Sequence, residues 1–133
     1  MAQNSAVQKL KAALMLTIIF DLFYGVGLFV VPGLLSAIAG GTPVEHGWIR
    51  WAGGVLIGLA VGAMQAYRNP AGQRSIITLL TMTSLLAGLA FVYTLLFETY
   101  SIHTWFIVVP CVGVFVIFAA LLWARQGAKE ILV

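Results

Sequence analysis

Asp21 lies inside an apolar run that extends from Leu10 to Val31. It follows Lys11 by ten residues, so in a helix rising 1.5 Å per residue it sits about 15 Å deep, near the midplane of a bilayer core about 30 Å thick. An ionised carboxylate there costs on the order of 3 kcal/mol or more, so the group must be protonated, paired or facing a hydrated cavity, and it marks a functional site by default. The competing reading is structural: a neutral Asp21 whose proton bonds a carbonyl on a neighbouring helix, helped by Tyr24, Thr81 or Ser84. A proton path would need a second acid or a histidine at similar depth, and the sequence offers none.

Arg50 is the second candidate. Flanked by Trp48 and Trp51, it has a planar fork suited to a phosphate, a carboxylate or a quinone-type oxygen, and aromatic rings beside a cation suit an amphiphilic headgroup. The plainer reading is an interfacial arginine that snorkels to headgroups and needs no partner. A salt bridge between Asp21 and Arg50 would have to close an axial gap of roughly 10 Å.

His46 and His103 each precede an apolar run, with Glu45 and Glu98 nearby. No short ligand spacing joins these residues, so titratable loop histidines are expected rather than a metal or haem site. The single cysteine, Cys111, excludes an internal disulfide and a CxxC redox pair, and reads as a small apolar packing residue. No phosphate loop, nucleophile elbow, HExxH or paired catalytic carboxylates occur. An enzyme would have to assemble its site from scattered polar residues, and the expectation is a protein without catalytic residues or a bound metal.

The elements that position these residues are four apolar spans. With 62% hydrophobic and 8% charged residues, and a mean hydropathy of +1.04, the chain lies outside the range of soluble domains. Spans of about 10–31, 48–67, 75–97 and 105–123 predict an all-α, four-transmembrane-helix bundle forming one membrane domain over residues 1–133. The first run exceeds the length of a signal h-region and reads as a retained helix. Pro32-Gly33 stops it, and Leu34 to Ala39 could add a short helix. Pro110 should kink the last span.

Of the seven Lys and Arg residues, Lys9, Lys11, Arg68, Arg74, Arg125 and Lys129 fall on one side and only Arg50 on the other. This places both termini in the cytoplasm. The basic residues are scattered rather than patched, which argues against nucleic acid. In the second span Gly54, Gly58 and Gly62 recur every four residues on one helix face, a pattern for close packing in lipid against the first span, the fourth, or a second copy.

Tyr24-Gly25, Val31-Pro32-Gly33-Leu34-Leu35 and Ile49-Arg50-Trp51-Ala52-Gly53-Gly54 through Gly58 together resemble the DoxX-like and BphX-like superfamily of small four-helix bacterial membrane proteins. The resemblance runs over nearly the whole chain in short motifs and implies a four-helix bundle in a bacterial inner membrane. Some relatives are associated with quinone-linked sulfur oxidation or aromatic degradation, usually as accessory subunits. Asp21 matches no motif of that family.

Three functions follow from these readings. The first is a non-enzymatic accessory or scaffold subunit of a membrane complex or homo-oligomer, in contact with the lipid bilayer and other subunits. The second is a proton-coupled small-molecule transporter using Asp21, which would lose its gradient-dependent flux in Asp21→Asn. The third is a lipid- or quinone-binding protein with its site near Arg50; no other cofactor is expected.

Overall fold

Runs of twenty or more apolar residues can satisfy their backbone groups in lipid only by coiling, because no water is present to accept or donate. The computed structural model describes residues 2–41 and 46–133, without the side chains of Ala2 and His46. It contains α1 (Ala2–Val30), α2 (Pro32–Ile38), α3 (His46–Arg68), α4 (Arg74–Phe97) and α5 (Thr104–Gly127), and no strand among the described residues. Helices α1, α3, α4 and α5 are each long and apolar enough to cross a membrane. The chain is a multi-pass membrane protein.

α1 begins at Ala2 rather than near Leu10. Residues 2–9 contain neither proline nor glycine, and Ala6 packs on the core, so nothing stops the helix earlier. At its other end, Pro32 cannot donate to the Leu28 carbonyl, and α1 gives way to α2 with Pro32 in the first helical position, where the missing N–H costs nothing. Gly40, at φ +74°, turns the chain out of α2. There the His103 amide donates to the Ala39 carbonyl at 2.7 Å, tying the α1–α3 connection to the α4–α5 connection. The His103 ring occupies the space that a Cβ on residue 40 would need.

The helices do not pack evenly. α1 lies most closely against α3, and α4 against α5, while α3 and α4 touch least of the adjacent spans. Toward the end that carries Lys9 and Lys11, a continuous core forms from Leu10, Leu14, Ala63, Ala66, Ile77, Leu80, Ile117 and Leu121. Toward the opposite end the bundle opens. Outward-facing side chains along the spans are apolar, with Phe23 73% and Leu86 60% exposed, the inverse of a water-soluble bundle and the surface that lipid requires.

Close approach of α1 and α3 rests on Gly25 and Gly53. A Cβ on residue 53 would lie 2.6 Å from the Phe29 amide nitrogen and 2.7 Å from the Gly25 carbonyl oxygen, and one on residue 25 would lie 3.1 Å from the Gly53 carbonyl oxygen. The expected Gly54, Gly58 and Gly62 face is not this seam. Gly54 meets only the Phe29 ring at ordinary distance, Gly62 meets Ile76 of α4, and Gly58 has nothing within 4 Å. One residue of helix is 100° of rotation, so the adjacent Gly53 carries the contact while Gly58 turns away from it.

Gly53→Leu should therefore lower stability by about 3 kcal/mol, the upper range for overpacking, and Gly58→Leu should leave it unchanged. Reversible unfolding in mixed micelles measures both, and equal effects would remove Gly53 from the seam.

Candidate functional site

Where the bundle opens, the space between α3 and α4 is a cavity of about 420 Å³. Its walls are almost wholly apolar: Phe20, Tyr24 and Leu28 of α1, Trp51, Val55 and Leu59 of α3, Ala87 and Phe91 of α4, and Phe106, Pro110 and Val114 of α5. The one hydroxyl of α4 in this wall is that of Thr83. Such a volume, apolar with a few polar groups, is what a small-molecule site requires.

Asp21 lies at the inner end of that space. It is 7% exposed and faces a small chamber of about 30 Å³ with Thr17, Thr83 and Ser84. The chamber and the large cavity share Phe20, Leu56, Leu59, Thr83, Ala87 and Val114 as lining residues, so the two adjoin. A chamber of this size has room for one water, given polar partners.

The hydrogen-bond pattern sets what the chamber offers. Thr17 donates to the Ala13 carbonyl at 2.9 Å and Ser84 to the Leu80 carbonyl at 2.9 Å, each one turn back along its own helix. Thr81 likewise donates to Ile77 at 2.6 Å. Their hydrogens are therefore committed, and only oxygen lone pairs remain. Among the described residues no hydrogen bond is made by the Asp21 carboxyl or the Thr83 hydroxyl. These two groups are the chamber's free hydrogen-bonding capacity.

Several expected groupings are not brought together. Tyr24 follows Asp21 on α1 but does not line its chamber; the Phe20 ring packs on the Tyr24 ring at 4.7 Å between centroids, and Tyr24 lines the large cavity instead. Arg50 is exposed. Asp21 shares its chamber with Leu56 and Leu59 of α3, which places it about 9 to 14 Å along that helix from Arg50, so the two charges are not paired. Trp48 and Trp51 meet edge to face at 6.2 Å, and Trp51 alone of the Arg50 group lines the large cavity.

No cluster of three metal-ligating side chains occurs among the described residues; Glu45 and the His46 imidazole lie outside them. Cys111 is buried, with its thiol 4.0 Å from the Gly88 carbonyl oxygen.

Thr83 was not among the residues the sequence drew attention to. It stands nine residues after Arg74, hence about 14 Å deep, the same level as Asp21. Matching depths from opposite helices is the signal that would have found it; the rotation of α4 that aims it inward is not readable from α4 alone, which is apolar around most of its circumference.

A carboxyl held for structure would be bonded. Asp21→Leu is accordingly expected to leave stability unchanged or raise it by up to about 1 kcal/mol, because an unpartnered polar group leaves an apolar site. Loss of more than about 2 kcal/mol in mixed-micelle unfolding would show a structural bond at Asp21. In comparisons with known proteins, no family model matches the chain, and no curated protein or solved structure matches it significantly.

Proposed function

We propose that this protein is a non-enzymatic, multi-pass inner-membrane protein that takes a neutral amphiphile of the lipid or quinone class from the bilayer into the α3/α4 cavity, with Asp21 and Thr83 anchoring its polar end. The observation that carries this reading is the unpartnered carboxyl of Asp21, a residue only 7% exposed, opening onto a chamber beside an apolar cavity of about 420 Å³. In hydrocarbon that carboxyl is cheapest as the neutral acid, and a neutral acid donates. With Thr17 and Ser84 already donating to their own helices, a ligand carbonyl oxygen meets a carboxylic proton and the Thr83 hydroxyl.

Both termini are assigned to the cytoplasm on the concentration of basic residues at that end of the spans. The resemblance to DoxX-like and BphX-like proteins agrees with quinone as ligand class and with a bacterial inner membrane. The scaffold reading rests on a separate observation, the glycine face of α3, where Gly58 has nothing within 4 Å in this chain and a second protein would find room to pack. The Arg50 site of the lipid- or quinone-binding reading moves inward, to the cavity that Trp51 borders.

Titration of the purified protein with a short-chain benzoquinone, followed by quenching of tryptophan fluorescence, tests the reading. Asp21→Leu should weaken binding about tenfold, equivalent to 1.4 kcal/mol. Asp21→Asn keeps a donor of the same shape and should stay within about threefold. Binding indifferent to Asp21→Leu would refute the assignment. Loss in Asp21→Asn together with a proton-gradient-dependent flux would transfer the site to proton-coupled transport, and a stoichiometric subunit without ligand in native mass spectrometry would return the scaffold role.

A further inference from the structure

The end of the bundle opposite the large cavity holds a cleft of about 290 Å³, lined by Arg74, Arg125, Lys129, Leu132 and Val133. It is built by a fold-back. After α5 the chain turns through Ala128, whose amide donates to the Arg125 carbonyl at 3.2 Å, and the Gly72 amide in the α3–α4 turn donates to the Ile131 carbonyl at 3.3 Å. Leu132 is 3% exposed and belongs to the main core. Lys129 is thereby held across from Arg74, the first residue of α4, and Arg125, in the last turn of α5.

The cleft gathers three cationic side chains and no acidic side chain in its lining. Glu130, the only acid of that segment, is exposed and does not line it, Asp21 lies mid-span, and Glu98 follows the opposite end of α4. Of the other cations at the same end, the Lys9 ammonium lies 4.7 Å over the Trp123 ring, the Lys11 ammonium 5.4 Å over that of Tyr67, and Arg68 is exposed at the end of α3 and does not line the cleft. Converging like charges need a counter-charge, and guanidinium forks suit phosphate oxygens. The position, at helix ends beside the exposed apolar Leu79, Leu122 and Trp123, is where a headgroup sits while its acyl chains lie along the spans.

We propose that this cleft binds the phosphate of an anionic phospholipid through Arg74, Arg125 and Lys129. The site is separate from the α3/α4 cavity, so its fate does not depend on the quinone-class reading.

The full chain in nonionic detergent is titrated with short-chain phosphatidylglycerol, with phosphatidylcholine of equal chain length, and with inorganic phosphate, and retained adducts are counted by native mass spectrometry. Phosphatidylglycerol should bind at least tenfold tighter than phosphatidylcholine. Arg74→Gln with Arg125→Gln should abolish that preference, whereas Lys9→Gln with Lys11→Gln, an equal loss of charge at the same end, should keep it. No preference, or equal loss in both double variants, overturns the proposal in favour of diffuse interfacial charge. Inorganic phosphate binding as tightly as phosphatidylglycerol overturns the lipid assignment in favour of a free-anion site. If the arginine variant does not fold, salt on the unmodified protein decides: the preference must fall steeply with sodium chloride, and a salt-insensitive preference overturns the site.

Discussion

The contact between the backbones of Gly25 and Gly53 governs much of this bundle. In lipid, apolar side chains gain nothing by leaving hydrocarbon for a protein interior, so helices associate where backbones can approach and van der Waals contact is dense. Two glycines facing one another supply that approach and draw α3 against α1. α5 associates with α4, again with a glycine in the contact: the Phe115 ring lies where a Cβ on Gly88 would be. Two tight pairs joined at one end leave a gap between α3 and α4 at the other. The cavity is thus a result of how the pairs are formed, and its apolar lining follows from the composition of the spans.

That arrangement explains the placement of Asp21. It lies at the level where the packed half of the bundle ends and the open half begins, facing Thr83 and Ser84 of α4 across the small chamber, while the neighbouring Phe20 ring fills the space left by Gly113 of α5. Two turns nearer the amino terminus of α1, Leu14 is fully buried in the sealed core and lines neither the chamber nor the cavity. The polar group is placed where an opening in the packing reaches it.

The spans could be read from the sequence because length and hydropathy alone determine what crosses a bilayer, and the structure contains four helices of that kind. Helix rotation could not be read in the same way. Residues 54, 58 and 62 form a regular four-residue repeat, but the contact uses Gly53, since the choice of face depends on the partner's glycine at 25 and no periodicity within α3 records it. Spacing gives the side of a helix and not which space on it a group enters: Asp21 lines the small chamber, whereas Tyr24, three residues on, packs on the Phe20 ring and lines the large cavity. Depth, by contrast, is linear in residue number: Asp21 and Thr83, ten residues after Lys11 and nine after Arg74, line one chamber.

Pro110 has a consequence that its side chain does not suggest. Having no amide hydrogen, it leaves the carbonyl of Phe106, one turn earlier in α5, without its helical donor. Phe106 and Pro110 both border the α3/α4 cavity and also a second cavity of about 310 Å³ lined by Leu35, Ile38 and Trp105. The wall between two hydrocarbon-lined spaces therefore contains a main-chain acceptor set free from the helix ladder. The helix that separates the two spaces is thus weakest in its own hydrogen bonding at the turn both spaces border, which makes that turn of α5 the place where the wall can yield without breaking a further bond.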